Sequence, residues 1–347
     1  MSTSPRFYVG VMKMAPGQEL RSPRPKRVGL RSRWMLDKVV APRLRRKINI
    51  RVAARVGFVM FINRKMARVG RFFKPKVNRN DIAFKRPCYS YSEPNGPSCW
   101  KTLFPDSTGT HQSPINISLS NTIAVPAENE TLLCFSEGYN ITPNEMTIYN
   151  DGYCVTLYAR WDDDYRPQVT GGACRNTYEF LNARFRWGLN DQEGSEHTID
   201  FESYAMELQA IHIKVGKRYA NLNQAALENS LLIISYLYEV SPIENVYLKT
   251  LISSLPKIQN PHVCDNIEPI PLSYIMPSFV CKYASYSGSL TFPPCTEGVQ
   301  WIVQTEPLGI ASNQVAQFRQ LRTHCGNLEL NKRPVQNTNC RDIMFYD

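Results

Sequence analysis

The stretch from Tyr178 to Ile213, YEFLNARFRWGLNDQEGSEHTIDFESYAMELQAIHI, leaves this chain little freedom in what it folds into. Phe180, Asn182 and Arg184 alternate with Leu181, Ala183 and Phe185, and a second alternating run covers Ala205 to Ile213. Side chains on a strand change face at every residue, so the two runs predict a pair of strands. Residues two apart share a face, which sets Arg184 beside Arg186.

The frame around these strands is Trp187, Gly188, Gly194, Ser195, Glu196, His197, Thr198, Glu207, Leu208 and His212. With its 23-residue spacing it closely resembles the zinc-binding core of the α-type carbonic anhydrases. In that family two histidines one residue apart precede the Trp-Gly, and a third follows Glu-Leu. The resemblance puts Arg184, Arg186 and Gln209 at the three ligand positions. Zinc needs neutral or anionic donors and an open position for the water that it activates. A guanidinium has five donors, no lone pair and a permanent charge, so two of them repel a dication. The five histidines, His111, His197, His212, His262 and His324, supply no replacement trio. The position that shuttles protons in active members is Tyr153, a side chain that titrates near ~10. The expectation is a protein with no zinc, no other cofactor and no carbonic anhydrase activity.

The resemblance runs from about Tyr89 to the C-terminus and rests on further motifs. NGPSCW (Asn95–Trp100) and HQSPINI (His111–Ile117) match the family's opening segment and signature strand. SGSLTFPPC (Ser287–Cys295) carries Thr291, which the resemblance pairs with Glu196 to orient a zinc-bound hydroxide. Glu196, Glu207 and Thr291 are thus vestiges of the shell around the ligands. TEGVQWIV (Thr296–Val303) continues the match, and FRQLRTH (Phe318–His324) is most similar to the acatalytic carbonic-anhydrase-related proteins. NKRPVQ (Asn331–Gln336) departs from the family by placing Lys332 before Arg-Pro. The implied fold is mostly β, α+β in class. It has a twisted, mainly antiparallel central sheet with short peripheral helices, in a domain spanning 87–347.

Charge is unevenly spread. Residues 1–86 carry 24 Lys and Arg against three acids, a net +21, and the rest carries 17 against 27, a net −10. A basic arm joined to an acidic body predicts that the arm binds something anionic. Its first part, with Arg21, Arg24, Lys26 and Arg27 among prolines and serines, reads as extended solvated chain. From Arg43, Arg45, Arg46 and Lys47 onward, Leu44, Ile48, Val52, Val56, Val59 and Ile62 recur at helical spacing, so a basic amphipathic helix is expected near 43–70. No secretory leader is read here, and Val56–Ile62, the longest apolar run, is far too short to cross a membrane. The favoured partner is an acidic protein surface, with the tubulin lattice of an axoneme as the specific expectation, which makes the protein intracellular and cytoskeletal. A mitochondrial targeting segment and an anionic membrane surface are the alternatives. Nucleic acid is disfavoured, because few aromatic or amide readers lie among the bases.

Elsewhere, Ser230–Val240 reads as a buried central strand and Val246–Leu255 as a helix with Leu248, Leu251 and Ile252 inward. The acidic run Asp162–Asp164 reads as a solvated hairpin tip rather than a metal site. The ten cysteines contain no CxxC pair, and they are expected to be reduced and many of them buried. At the ligand positions two arrangements are open: an Arg–Glu network that replaces the metal's cross-link, or an anion or sulfated-polysaccharide site narrowed by Phe292. A residual hydrolase finds no support, since no Ser/His/Asp or Cys/His set is visible and Thr291 has no adjacent histidine base.

Overall fold

The structure, a computed structural model, describes residues 88–126, 128 and 132–347. The arm of residues 1–86, the helix expected near 43–70 and the arm residues Arg21, Arg24, Lys26, Arg27, Arg43, Arg45, Arg46 and Lys47 lie outside the described residues. Among the described residues, no helix is long and apolar enough to cross a membrane.

Ten strands form the spine of one large sheet: β1 (Ile123–Val125), β2 (Glu145–Asn150), β3 (Val155–Arg160), β4 (Tyr178–Trp187), β5 (Met206–Lys214), β6 (Leu231–Val240), β7 (Cys264–Ile267), β8 (Tyr283–Ser289), β9 (Glu297–Gln304) and β10 (Met344–Tyr346). They lie in the order β7-β2-β3-β4-β5-β6-β9-β8-β10-β1. Most neighbours are antiparallel, while β6 with β9 and β10 with β1 run parallel. Short segments at Leu133–Phe135, Gln168–Gly171 and Leu308–Ile310 extend it. Among the described residues the α-helices are α1 (Pro97–Leu103), α2 (Leu222–Leu227), α3 (Lys249–Ser254) and α4 (Ser312–Phe318), none longer than two turns.

Both faces of the sheet are covered. Ala183, Phe185 and Trp187 of β4, Leu208 and Ala210 of β5, and Leu232, Ile234 and Tyr236 of β6 pack into one core. Ile211 and Ile213, Leu231, Ile233 and Leu237, and Val299, Trp301 and Val303 pack into the other. β6 therefore feeds both cores, which is why Leu231–Tyr238 reads as a dense apolar run broken only by Ser235. Val246–Leu255 is a 3-10 turn followed by α3, with Leu248, Leu251 and Ile252 buried as expected. The acidic run Asp162–Asp164 is not the hairpin tip expected. It enters a 3-10 turn (Asp163–Tyr165) between β3 and Gln168–Gly171, which pair with other strands and not with each other. Asp162 accepts a hydrogen bond from Asn144 at 2.9 Å.

Two further expectations are corrected. The alternation in β4 is not uniform. His212 faces Phe180 and Ile211 faces Asn182, so Leu181 is the extra residue of a β-bulge. The bulge flips the phase: Phe180 joins Ala183 and Phe185 in the first core, and Leu181 packs against the second. The cysteines are all free, but only Cys154 and Cys295 are buried, because most of the others lie near loops and strand ends.

Candidate functional site

Strand register brings the site together. Arg184 lies opposite Gln209 and Arg186 opposite Glu207, so all four side chains project from one face of β4 and β5, at the margin of the second core. The third wall is the loop Ser195–Glu196–His197, which meets β5 through Gly194. A Cβ on Gly194 would stand 1.7 Å from the Ala205 carbonyl oxygen, so only glycine permits this approach.

Arg186 is 1% exposed. Its Nε donates to Gln209 Oε1 at 3.2 Å and lies 3.4 Å from Glu196 Oε2. Nη1 donates to Tyr91 Oη at 2.8 Å and to the Asn331 carbonyl at 3.3 Å, while Nη2 is buried without a partner. Gln209 continues the chain, its Nε2 donating to Glu196 Oε2 at 2.6 Å and Glu207 Oε1 at 2.9 Å. Glu207 also accepts from the backbone N–H groups of Glu196 and His197 and bonds His197 Nδ1 at 2.9 Å. His197 Nε2 meets Tyr286 Oη at 2.8 Å, and that hydroxyl donates to Ser113. The result is a buried polar chain from the HQSPINI segment to β4.

Burial sets the charges of this chain against one another. It raises the pKa of Glu196, although Arg186 opposes the shift. Burial pushes Glu207 the same way, but the charge of His197 and hydrogen bonds from His197 and Gln209 outweigh it and hold that carboxyl at about 2. Thr291 is buried and its Oγ1 finds no well-formed hydrogen bond, though it lies near enough to Glu196 to favour the ionised carboxyl. Tyr153 stacks on Tyr89 with centroids 4.3 Å apart, and burial pushes its phenol up to about 12.

Arg184 follows a different course. None of the ion pairs among the described residues includes it, and its Nε is buried without a partner. Its guanidinium carbon sits 4.5 Å from the centre of the Phe292 ring, beside an open cavity of about 270 Å³. The expected Arg–Glu network thus forms around Arg186 alone. Sequence reasoning missed Tyr91, Asn331 and Arg333, whose backbone N–H donates to Glu196 Oε1 at 2.9 Å. These three come from the two ends of the domain, and no spacing links them to Arg186.

The donor set does not fit a zinc ion. Arg184 and Arg186 offer no lone pair, and the carbonyl oxygen of Gln209 is already engaged by Arg186. Among the described residues, no other cluster of three or more His, Cys, Asp or Glu side chains is arranged to hold a metal.

A model of the family described as eukaryotic-type carbonic anhydrase matches residues 95–347. A carbonic anhydrase-related protein of Rattus norvegicus is 32% identical over 231 residues, which cover 66% of this chain and 77% of the relative. Its Homo sapiens counterpart is as similar. Carbonic anhydrase 7 of Mus musculus is 30% identical over 234 residues, covering 67% of this chain and 86% of that protein.

Proposed function

Because the chain belongs to the eukaryotic-type carbonic anhydrase family, we propose that it is a member without carbonic anhydrase activity, a structural or interaction protein whose rigid body is tethered by its basic arm. The observation that carries this reading is Arg186, a charged donor hydrogen-bonded into the place where the family's chemistry needs a lone pair. Similarity to carbonic anhydrase 7 does not weigh against it, since the fold can persist while the metal donors change. β4 and β5 are held together by their backbone ladder, and Arg186, Gln209 and Glu196 add a polar cross-link beside it.

The partner we favour is an acidic assembly, specifically the microtubule lattice of an axoneme. Its support is the charge division, +21 in residues 1–86 against −10 in the remainder. The arm residues Arg21, Arg24, Lys26, Arg27, Arg43, Arg45, Arg46 and Lys47 are the contacts in this proposal. The test is co-sedimentation of the full-length protein, and of a form lacking residues 1–86, with stabilised microtubules across a salt series. The expected outcome is pelleting that needs the arm, weakens with salt and survives competition by nucleic acid. Equal pelleting of the two forms would sink the proposal and turn attention to the acidic body.

A further inference from the structure

The cavity beside Arg184 is lined by Tyr89, Tyr158, Asn182, Asn221 and Phe292, with Asp151 also on its wall. Two of these side chains hold unspent hydrogen-bonding capacity. Arg184 Nε is a buried donor with no partner, and Asn182 Oδ1 is a buried acceptor with no partner. Buried polar atoms are nearly always paired, because leaving one unmade costs on the order of 1–3 kcal/mol. Here two such atoms of opposite sense stand two residues apart on one face of β4, beside the same space. Neither satisfies the other, since side chains at that spacing stand about 6.5 Å apart along the strand.

We propose that this cavity binds a small monocarboxylate bearing an O–H or N–H donor on the carbon next to the carboxylate. The guanidinium of Arg184 takes the carboxylate in its own plane, where paired donors match paired oxygens. Asn182 Oδ1 takes the adjacent donor and repels a bare second oxygen. Phe292, with its ring centre 4.5 Å from the guanidinium carbon, closes that side of the cation and leaves the approach from the cavity. Charge balance selects a monoanion. Arg184 is the uncommitted cation of the cavity, since Arg186 is engaged by Gln209, Tyr91 and Asn331. Asp151 disfavours a dianion; its own carboxylate is occupied by the N–H groups of Tyr153 and Cys154 at 2.8 and 2.7 Å. The two phenols support the same choice: burial pushes Tyr158 up to about 12 and raises Tyr89 well above its ordinary value, so both stay neutral and able to donate. The site is independent of the basic arm, and its failure would leave the arm's proposed role untouched.

Two sources present this chemistry, a free α-hydroxy acid and the C-terminal residue of a peptide. The test is a titration of the ¹⁵N-labelled full-length protein, read at the arginine Nε–H resonances, with glycolate, N-acetylglycine, acetate and inorganic phosphate as probes. Glycolate or N-acetylglycine is expected to shift one Nε–H signal with an affinity about five- to tenfold above that of acetate, the value of one added hydrogen bond. Arg184→Gln should remove both that signal and the binding. Because Arg184 makes no ion pair, this variant leaves no buried acid stranded. Preference for N-acetylglycine identifies a peptide terminus, and preference for glycolate identifies a free acid. Acetate binding as tightly as either, phosphate binding more tightly, or no shift with any probe would each overturn the assignment.

Discussion

At Arg186, four polar atoms from four segments converge on one guanidinium: Gln209 Oε1, Glu196 Oε2, Tyr91 Oη and the Asn331 carbonyl. Such a group is costly to bury, and costlier to remove once its partners are placed around it. We predict that Arg186→Ala lowers stability by about 3 kcal/mol or more, because Glu196 would lose its buried counter-charge. A urea or thermal melt of the variant checks this, and a midpoint equal to that of the parent would refute the cross-linking role. Arg184→Ala should cost far less, as that side chain has no ionic partner to strand. Comparison of the two variants separates the arginine that holds the fold from the one that faces the cavity.

The strands supply what single residues do not. β4 and β5 pair continuously from Asn182 to Trp187, with Arg184 facing Gln209 and Arg186 facing Glu207. That register is set by Ala183, Phe185 and Trp187 on the opposite face, since a one-residue slip would turn the whole set out of its core and onto the face of the polar network. The resemblance makes Arg184, Arg186 and Gln209 the family's ligand positions, and this register keeps all three on one face of β4 and β5. We predict that the triple variant Arg184→His, Arg186→His, Gln209→His folds and retains one zinc ion per chain after dialysis, measured by elemental analysis, whereas the parent retains none. A folded triple variant that retains no zinc would show that the register has drifted from a metal-binding geometry.

Across the whole molecule, pH acts through buried groups with opposed signs. Burial lowers the pKa of His212 from 6.5 to about 4, so this ring stays neutral in the folded protein where the unfolded chain protonates it. The unfolded state then binds more protons between those values. Stability from His212 is complete above pH 6.5 and is lost as the pH falls to about 4. Glu207, held at about 2, extends the loss from 4.5 downward, while the raised pKa of Glu196 works in the opposite direction. We expect the urea midpoint of the parent to fall between pH 6.5 and 4 more steeply than that of His212→Asn. Parallel slopes for the two proteins would show that His212 is not the titrating group.

How much of this was legible in the amino-acid order follows from the range of the forces involved. Alternation from Tyr178 to Trp187 and from Ala205 to Ile213 determined two strands, and residue chemistry at 184, 186 and 209 determined that no ordinary zinc ligand stands there. The dense run Leu231–Tyr238 likewise determined a strand buried on both faces. These are local properties, fixed by the period of the backbone and by whether a side chain carries a lone pair. The bulge at Leu181 was not legible, because it adds one residue against a partner strand and becomes visible only when the two are paired. Nor was the separation of the two arginines. Arg186 became a cross-link because Tyr91 and Asn331, 95 and 145 residues away, close around it, whereas among the described residues nothing of that kind reaches Arg184. Spacing along a strand tells which side chains share a face. Only tertiary packing decides which of them meets a partner and which is left facing an open cavity.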